Sequence, residues 1–242
     1  MESQRVGLSL HKMELYGIHI IDEREFNKYK DPLLKLLPKQ QQERIMLFKK
    51  PDDLQRSLLG EAMCRAILAK VLDQVPSTIE LVKSEKGKPY LKDHNNIHFN
   101  LSHSGNWVVM VLHDKPVGVD VENVREVDYR IAQRFFSKEE YAELDLLEGL
   151  AKRRLFFRLW TLKESYLKFL GKGLTKSLGS FTVFEEKNRY WIKHGNLIDH
   201  QVYFNCYEPD QIHMVAVCAE DRVFPERIQK VEIKELINTI SR

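Results

Sequence analysis

The chain has 242 residues, 43% hydrophobic and 30% charged, enough to bury the core of one large domain or two small lobes, and this excludes an intrinsically disordered chain. A formal net charge of +3 and a pI of about 8.6 fall well short of a nucleic-acid coat protein and leave only a modest bias toward acidic ligands or partners. Three cysteines with no C-x-x-C pair (Cys64, Cys206, Cys218), no basic segment leading into an apolar run, and no stretch of about 18 apolar residues point to reduced thiols in a cytoplasmic protein without a membrane span.

A strand is predicted at Leu15 to Ile21, followed by helical sequence ending near Phe48 and a long amphipathic helix from about Asp53 to Leu72. In that helix Leu58, Leu59, Ala62, Met63 and Ala66 recur at three- and four-residue spacing, and Arg56 and Ser57 fall near its first turn. A turn at Gly87-Lys88-Pro89, a short strand at Ile97 to Asn100, a loop at Leu101 to Gly105 and a β segment at Trp107 to Leu112 close a first lobe, 1–116.

The second lobe, 117–242, opens with Val117 to Glu122, where alternation sets Asp120 and Glu122 on one face and Val119 and Val121 on the other. Ser137-Lys138-Glu139-Glu140 has the form of a capping box, with Phe136 and Tyr141 placed as a hydrophobic staple. A second long helix is expected from about Lys152 to Leu170, stopped by Gly171, and strands near 181–184, 190–194, 201–207 and 213–219 complete the lobe. The likeness of Trp107 to Leu112 and His213 to Cys218 suggests a duplicated architecture. Gly171-Lys172-Gly173-Leu174-Thr175 lacks the spacing of a phosphate loop and follows a helix, so it reads as a helix stop and turn.

Chemistry concentrates in an acidic trio, Asp120, Glu122 and Glu164. Asp120 and Glu122 could simply be the solvated face of an edge strand, and Glu164 with Lys168 an exposed i,i+4 ion pair. The flanking valines argue for burial, and two carboxylates about 4 Å apart repel by about 4 kcal/mol at an effective dielectric near 20. A buried pair therefore needs a proton or a cation, and oxygen ligands without a His/Cys cluster suit Mg²⁺, with Mn²⁺ as a substitute. On the second long helix Trp160, Glu164 and Lys168 share a face, with Lys163 about 100° to the side. Arg44, Arg56, Ser57, Lys88, Ser102, His103, Lys163 and Lys168 are the candidate phosphate-binding groups.

The ordered set Arg56-Ser57-Leu58-Leu59-Gly60, Gly87-Lys88-Pro89, Phe99-Asn100-Leu101-Ser102-His103-Ser104, Gly118-Val119-Asp120-Val121-Glu122, Arg134-Phe135-Phe136-Ser137, Trp160 to Lys168 and Gly171-Lys172-Gly173-Leu174 resembles the Sfp-type 4′-phosphopantetheinyl transferases. The resemblance implies an α+β fold of two similar pseudo-symmetric lobes with the active site in the cleft between them. It implies a monomer that moves the 4′-phosphopantetheine arm of coenzyme A to a serine of apo acyl or peptidyl carrier proteins, releasing adenosine 3′,5′-bisphosphate. Neither nucleic acid nor membrane is an expected partner. By the same resemblance Asp120, Glu122 and Glu164 hold Mg²⁺, while Lys168 and His103 contact phosphate oxygens. Lys88, Arg56, Ser57 and Arg44 hold the adenosine side, including its 3′-phosphate. Glu164 is the candidate general base, directly or through a water. Gln41 stands where relatives often carry a further lysine, which bears on one 3′-phosphate contact.

Segment Asn123 to Glu140, with Arg125, Arg130, Arg134 and Phe135, is a candidate landing surface for an acidic carrier, the alternative being a helix that packs its own core. Two other functions use the same residues: a metal-dependent phosphohydrolase, and a non-catalytic coenzyme A or carrier-binding module.

Overall fold

Residues 12–171 and 177–241 are described by the computed structural model. Strand β1 (Glu14–His19) leads to helix α1 (Glu23–Leu34), capped by Asp22, whose side chain accepts from Arg24 N at 2.9 Å. A short helix, α2 (Lys39–Ile45), precedes α3 (Pro51–Leu72). The long helix starts two residues before its predicted beginning because Pro51 takes a first-turn position, where its missing N–H has no helical partner to lose.

Strands β2 (Leu81–Lys83) and β3 (Pro89–Leu91) form a small hairpin, and β4 (His98–Ser104) with β5 (Trp107–His113) a larger one. The loop expected at 101–105 is strand up to its last residue. Ser102, His103 and Ser104 pair with Val109, Val108 and Trp107, and the turn is only Gly105-Asn106, with Gly105 at φ 53°. Serine and histidine gave this stretch the composition of a loop, whereas its neighbour β5 holds it extended.

After β6 (Val117–Asn123) come α4 (Arg130–Phe135), α5 (Lys138–Asp145) and α6 (Gly149–Leu170). The predicted capping box is present: Ser137 Oγ accepts from Glu140 N at 3.2 Å, and Glu140 Oε2 accepts from Ser137 N at 2.7 Å. Gly171 ends α6 in the left-handed conformation, φ 62°; the rest of the turn expected there, 172–176, lies outside the described residues. Strands β7 (Thr182–Glu186), β8 (Arg189–His194) and β9 (Leu197–Asp199) make a separate sheet, followed by β10 (Tyr203–Asp210), β11 (His213–Ala219), β12 (Gln229–Lys230) and α7 (Ile233–Ile237).

Two sheets organise the chain, in strand orders β12-β1-β5-β4 and β10-β11-β6. The runs β1-β5-β4 and β6-β11-β10 have the same antiparallel order, with the look-alike segments β5 and β11 in the centre of each. Helix α3 packs Leu58, Leu59 and Ala62 in one cluster with Val108, Met110 and Leu112. Helix α6 likewise shares a cluster with Met214, Ala216 and Cys218. The alternate residues, Val109, Val111, Val119, Val121, Val215 and Val217, form a third cluster common to both sheets. Burial on two faces is why β5 and β11 read as unbroken apolar runs. Residues 229–237, which lie beyond the expected boundary at 116/117, join the sheet and core of the N-terminal elements: β12 pairs parallel with β1, and Ile233 and Leu236 enter the α3 cluster.

The free edges of β4 and β6 meet and are bridged by side chains. Asn100 Oδ1 accepts from Val119 N (2.9 Å), Ser102 Oγ donates to Asp120 Oδ1 (2.9 Å), and Ser104 Oγ donates to Glu122 Oε2 (2.9 Å) while accepting from Asn123 N (3.2 Å). The near-constant offset in sequence shows that the two strands run in the same direction.

Candidate functional site

Asp120 is the centre of this junction. It is 4% exposed; its Oδ1 accepts from Ser102 Oγ and from Lys168 Nζ at 2.7 Å, and Lys168 also donates to Ser102 Oγ at 2.8 Å. Its other oxygen, Oδ2, is buried and has no hydrogen-bond partner among the described residues. A buried carboxylate oxygen in that state carries a desolvation cost of about 1–3 kcal/mol or more, which an added cation or proton removes.

Lys168 and Glu164 reach Asp120 because helix α6 lies directly on β6. A Cβ at Gly118 would overlap the backbone of α6 at Ser165 O and Phe169 N, so only glycine permits the approach. Gly118 is thus a site-building residue that sequence reasoning passed over; its signal was an isolated glycine between valines in a strand.

The three carboxylates feel one another. Burial and then the charge of Asp120 push Glu122 above its usual range, against the Ser104 hydrogen bond. Burial and then Asp120 push Glu164 up as well; Lys168 opposes the shift and Glu122 adds to it. Among the described residues no three His, Cys, Asp or Glu side chains converge closely enough to hold an ion as they stand. The donor set nevertheless fits a hard divalent cation: all oxygen, mutually repelling, with one buried oxygen that no described residue partners.

A pocket of about 310 Å³ lies beside the junction, and Arg44, Arg56, Ser57 and His103 line it together with Gln41 and Glu61. Its size is that of a small-molecule site. Arg56 is fixed by Asp53 (2.6 Å) and by Gly105 O (2.8 Å). Gln41 Nε2 donates to Glu61 Oε1 at 2.8 Å and so faces a carboxylate. Desolvation, then the nearby charges of Arg56 and Lys168, lower the His103 pKa, which keeps its ring neutral and able to both donate and accept at neutral pH.

Two expected phosphate ligands stand elsewhere. Lys163 is fully buried on the far side of α6, where Nζ donates to Glu140 Oε1 (2.6 Å) and Phe181 O (2.7 Å) and lies 4.2 Å from the Phe181 ring centre. The 100° rotation that set it beside Glu164 in projection turns it into the core. Lys88 donates to Val117 O (3.0 Å) and Lys168 O (2.6 Å), and burial lowers its pKa to about 8. It ties β6 to the end of α6 and is not in the wall of the Arg44 and Arg56 pocket. Trp160 belongs to an aromatic cluster with Phe135, Phe136 and Phe156.

Cys64 and Cys218 are buried and Cys206 half-buried, all three as free thiols. Among the described residues no helix is long and apolar enough to cross a membrane.

Residues 116–218 match the profile of the 4′-phosphopantetheinyl transferase superfamily, and residues 27–115 that of the 4′-phosphopantetheinyl transferase N-terminal region. The chain is 34% identical over 228 residues to the 4′-phosphopantetheinyl transferase ffp of Bacillus subtilis, covering 93% of this chain and 100% of that protein. It is 33% identical, with the same coverage, to the 4′-phosphopantetheinyl transferase Sfp of Bacillus subtilis strain 168. The 4′-phosphopantetheinyl transferase psf-1 of Bacillus pumilus is 33% identical over 95% of this chain and 98% of its own length. Among solved structures, the holo-[acyl-carrier-protein] synthase of Thermotoga maritima aligns with a TM-score of 0.35 and 20% identity, over 43% of this chain and 61% of that one.

Proposed function

The chain belongs to the 4′-phosphopantetheinyl transferase superfamily, whose members move the 4′-phosphopantetheine arm of coenzyme A to carrier proteins, and we propose that it does so at Asp120, Glu122, Glu164 and Lys168. The observation that carries the assignment is the buried Asp120 carboxylate, with one oxygen held by Lys168 and Ser102 and the other without a partner among the described residues.

Mg²⁺ held by Asp120, Glu122 and Glu164 would supply charge neutralisation for the coenzyme A pyrophosphate. Lys168 uses two of its three ammonium hydrogens on Ser102 and Asp120, leaving one for a phosphate oxygen of the leaving group. Arg44, Arg56, Ser57 and His103 surround the pocket proposed for the adenosine end and its 3′-phosphate. Glu164 is the proposed acceptor of the carrier serine proton, directly or through a water. The serine oxygen bonds to phosphorus as the bond to adenosine 3′,5′-bisphosphate breaks, so catalysis is positioning and electrostatics throughout. The proposed acceptors are apo acyl or peptidyl carriers, which present the hydroxyl.

Intact-mass analysis of an apo carrier incubated with the protein, coenzyme A and Mg²⁺ tests the reading. The carrier gains one phosphopantetheine with the native chain and none with Asp120→Asn. Release of adenosine 3′,5′-bisphosphate without any carrier would favour the phosphohydrolase instead, and carriers of several types that never gain mass would refute the assignment.

A further inference from the structure

A buried polar network at the turn between β10 and β11 has no part in the chemistry above. The side chain of His213 is 1% exposed, and its Nδ1 lies 2.9 Å from both oxygens of Asp210. A carboxylate only accepts, so Nδ1 carries a proton, and the backbone N–H aimed at Nε2 requires a lone pair there. That lone pair accepts from Asn106 N at 3.3 Å and faces Asn123 Nδ2 at 3.1 Å. Asp210 is itself fixed: Oδ2 accepts from Trp107 Nε1 at 2.8 Å and Oδ1 from Ile212 N at 2.9 Å.

Both partners of Nε2 adjoin the site. Asn106 follows Gly105, whose carbonyl holds Arg56 Nη1, and Asn123 donates its backbone N–H to Ser104 Oγ, which in turn donates to Glu122 Oε2. The packing is tight, since a Cβ at Gly105 would overlap His213 Nε2 and crowd Asn123.

We propose that His213 is a positioning residue: its Nε2 clamps the Gly105-Asn106 turn to Asn123 and thereby aims Arg56 and Glu122, without touching coenzyme A. The inference rests on the reading that those two groups serve coenzyme A and its cation.

Two amide replacements in the full chain separate the halves of the imidazole. In His213→Gln the carboxamide oxygen reaches the Nε2 position and keeps the acceptor; in His213→Asn the amide nitrogen reaches the Nδ1 position, keeping the Asp210 bond and losing the acceptor. Each variant is titrated calorimetrically with coenzyme A and Mg²⁺, without a carrier, and its Tm recorded. Loss of the clamp weakens coenzyme A about tenfold in His213→Asn, and His213→Gln stays within about threefold of the native chain, although both lose Tm. Asn123→Ala, which deletes only one donor to Nε2, weakens binding in the native background and adds nothing in His213→Asn. Native affinity in His213→Asn, or equal weakening in both amides in step with Tm, overturns the inference alone. A native chain that does not bind coenzyme A overturns the parent reading and the inference with it.

Discussion

Replacement of Lys163 by methionine separates a core role from a phosphate-binding one. In the structure the ammonium is fully enclosed, held by Glu140 Oε1 at 2.6 Å and Phe181 O at 2.7 Å. Methionine keeps most of the stem volume and removes the charge. Breaking a buried pair from one side costs about 3–5 kcal/mol. Glu140 retains the backbone N–H groups of Val183 and Ser137, both at 2.7 Å, so the loss belongs near the lower end, about 3 kcal/mol. In a chain of this size that lowers Tm by about 6–12 °C. Thermal unfolding gives the stability, and calorimetric titration with coenzyme A well below the transition gives the affinity, which should match the native chain. The Glu140→Gln/Lys163→Met double variant should be less destabilised than the two single variants summed, by about 2 kcal/mol, because the singles delete one shared interaction. An unchanged Tm with lost coenzyme A affinity would refute the core assignment and restore Lys163 to the phosphate site.

Gly118→Ala should lower Tm and abolish transfer together, since α6 has to move off β6 and takes Glu164 and Lys168 with it; full activity with normal Tm would mean the contact is not required. Glu164→Gln should abolish transfer yet raise stability at pH 7. A carboxyl whose folded pKa is raised, here first by burial and then by Asp120, binds its proton more tightly folded than unfolded, so the native chain loses stability as pH rises from the ordinary 4.5 through the raised value. The gap between variant and native chain therefore closes near pH 4.5 and below, and a gap independent of pH would contradict the assignment. Mg²⁺ should raise the Tm of the native chain more than that of Glu164→Gln. Phe135 packs edge-on to Trp160 (5.9 Å) and under Arg134 (5.2 Å), while neighbouring Ile131 is 36% exposed. Phe135→Asp should raise the carrier KM about tenfold with coenzyme A affinity intact, and unfolding of the variant would assign the helix to the core.

Periodicity made the scaffold legible where burial is one-sided or complete. Helix α3 showed its apolar spacing, α6 its glycine stop, α5 its capping box, and β5 and β11 their unbroken apolar runs. Short elements held by partners distant in the chain were not legible: β12 carries two residues and exists because β1 offers an edge. The strand at 101–104 was misread because its polar residues, the buried Ser102 among them, have the composition of a loop, and the carboxylates that satisfy Ser102 and Ser104 lie on β6. In the site, alternation correctly set Asp120 and Glu122 on one face, and i,i+4 spacing set Glu164 with Lys168. Helical projection set Lys163 about 100° from the face of Glu164 and Lys168 but could not say which side of α6 faces β6, so Lys163 stood among the phosphate-binding candidates although its side chain is 0% exposed and that of Lys168 27%.

What joins the halves of the site is the side-by-side run of β4 and β6. In strands that run the same way, residues two apart on one edge meet residues two apart on the other, so Ser102 and Ser104 fall opposite Asp120 and Glu122, while Asn100 takes the backbone N–H of Val119. Each serine hydroxyl then supports one carboxylate, and each carboxylate is withdrawn from water by the apolar strand face behind it. Arg56 is fixed through Gly105 O, in the turn after β4, and Gly105 packs against Asn123 at the end of β6. Cationic groups from the first sheet's helix and carboxylates from the second sheet's edge thus converge through strand pitch, with Gly118 admitting α6 from the other side. A substitution that shifted β4 by one residue would turn Ser102 and Ser104 away from both carboxylates at once, which makes the register of these two strands as much a condition of the site as any of its charged groups.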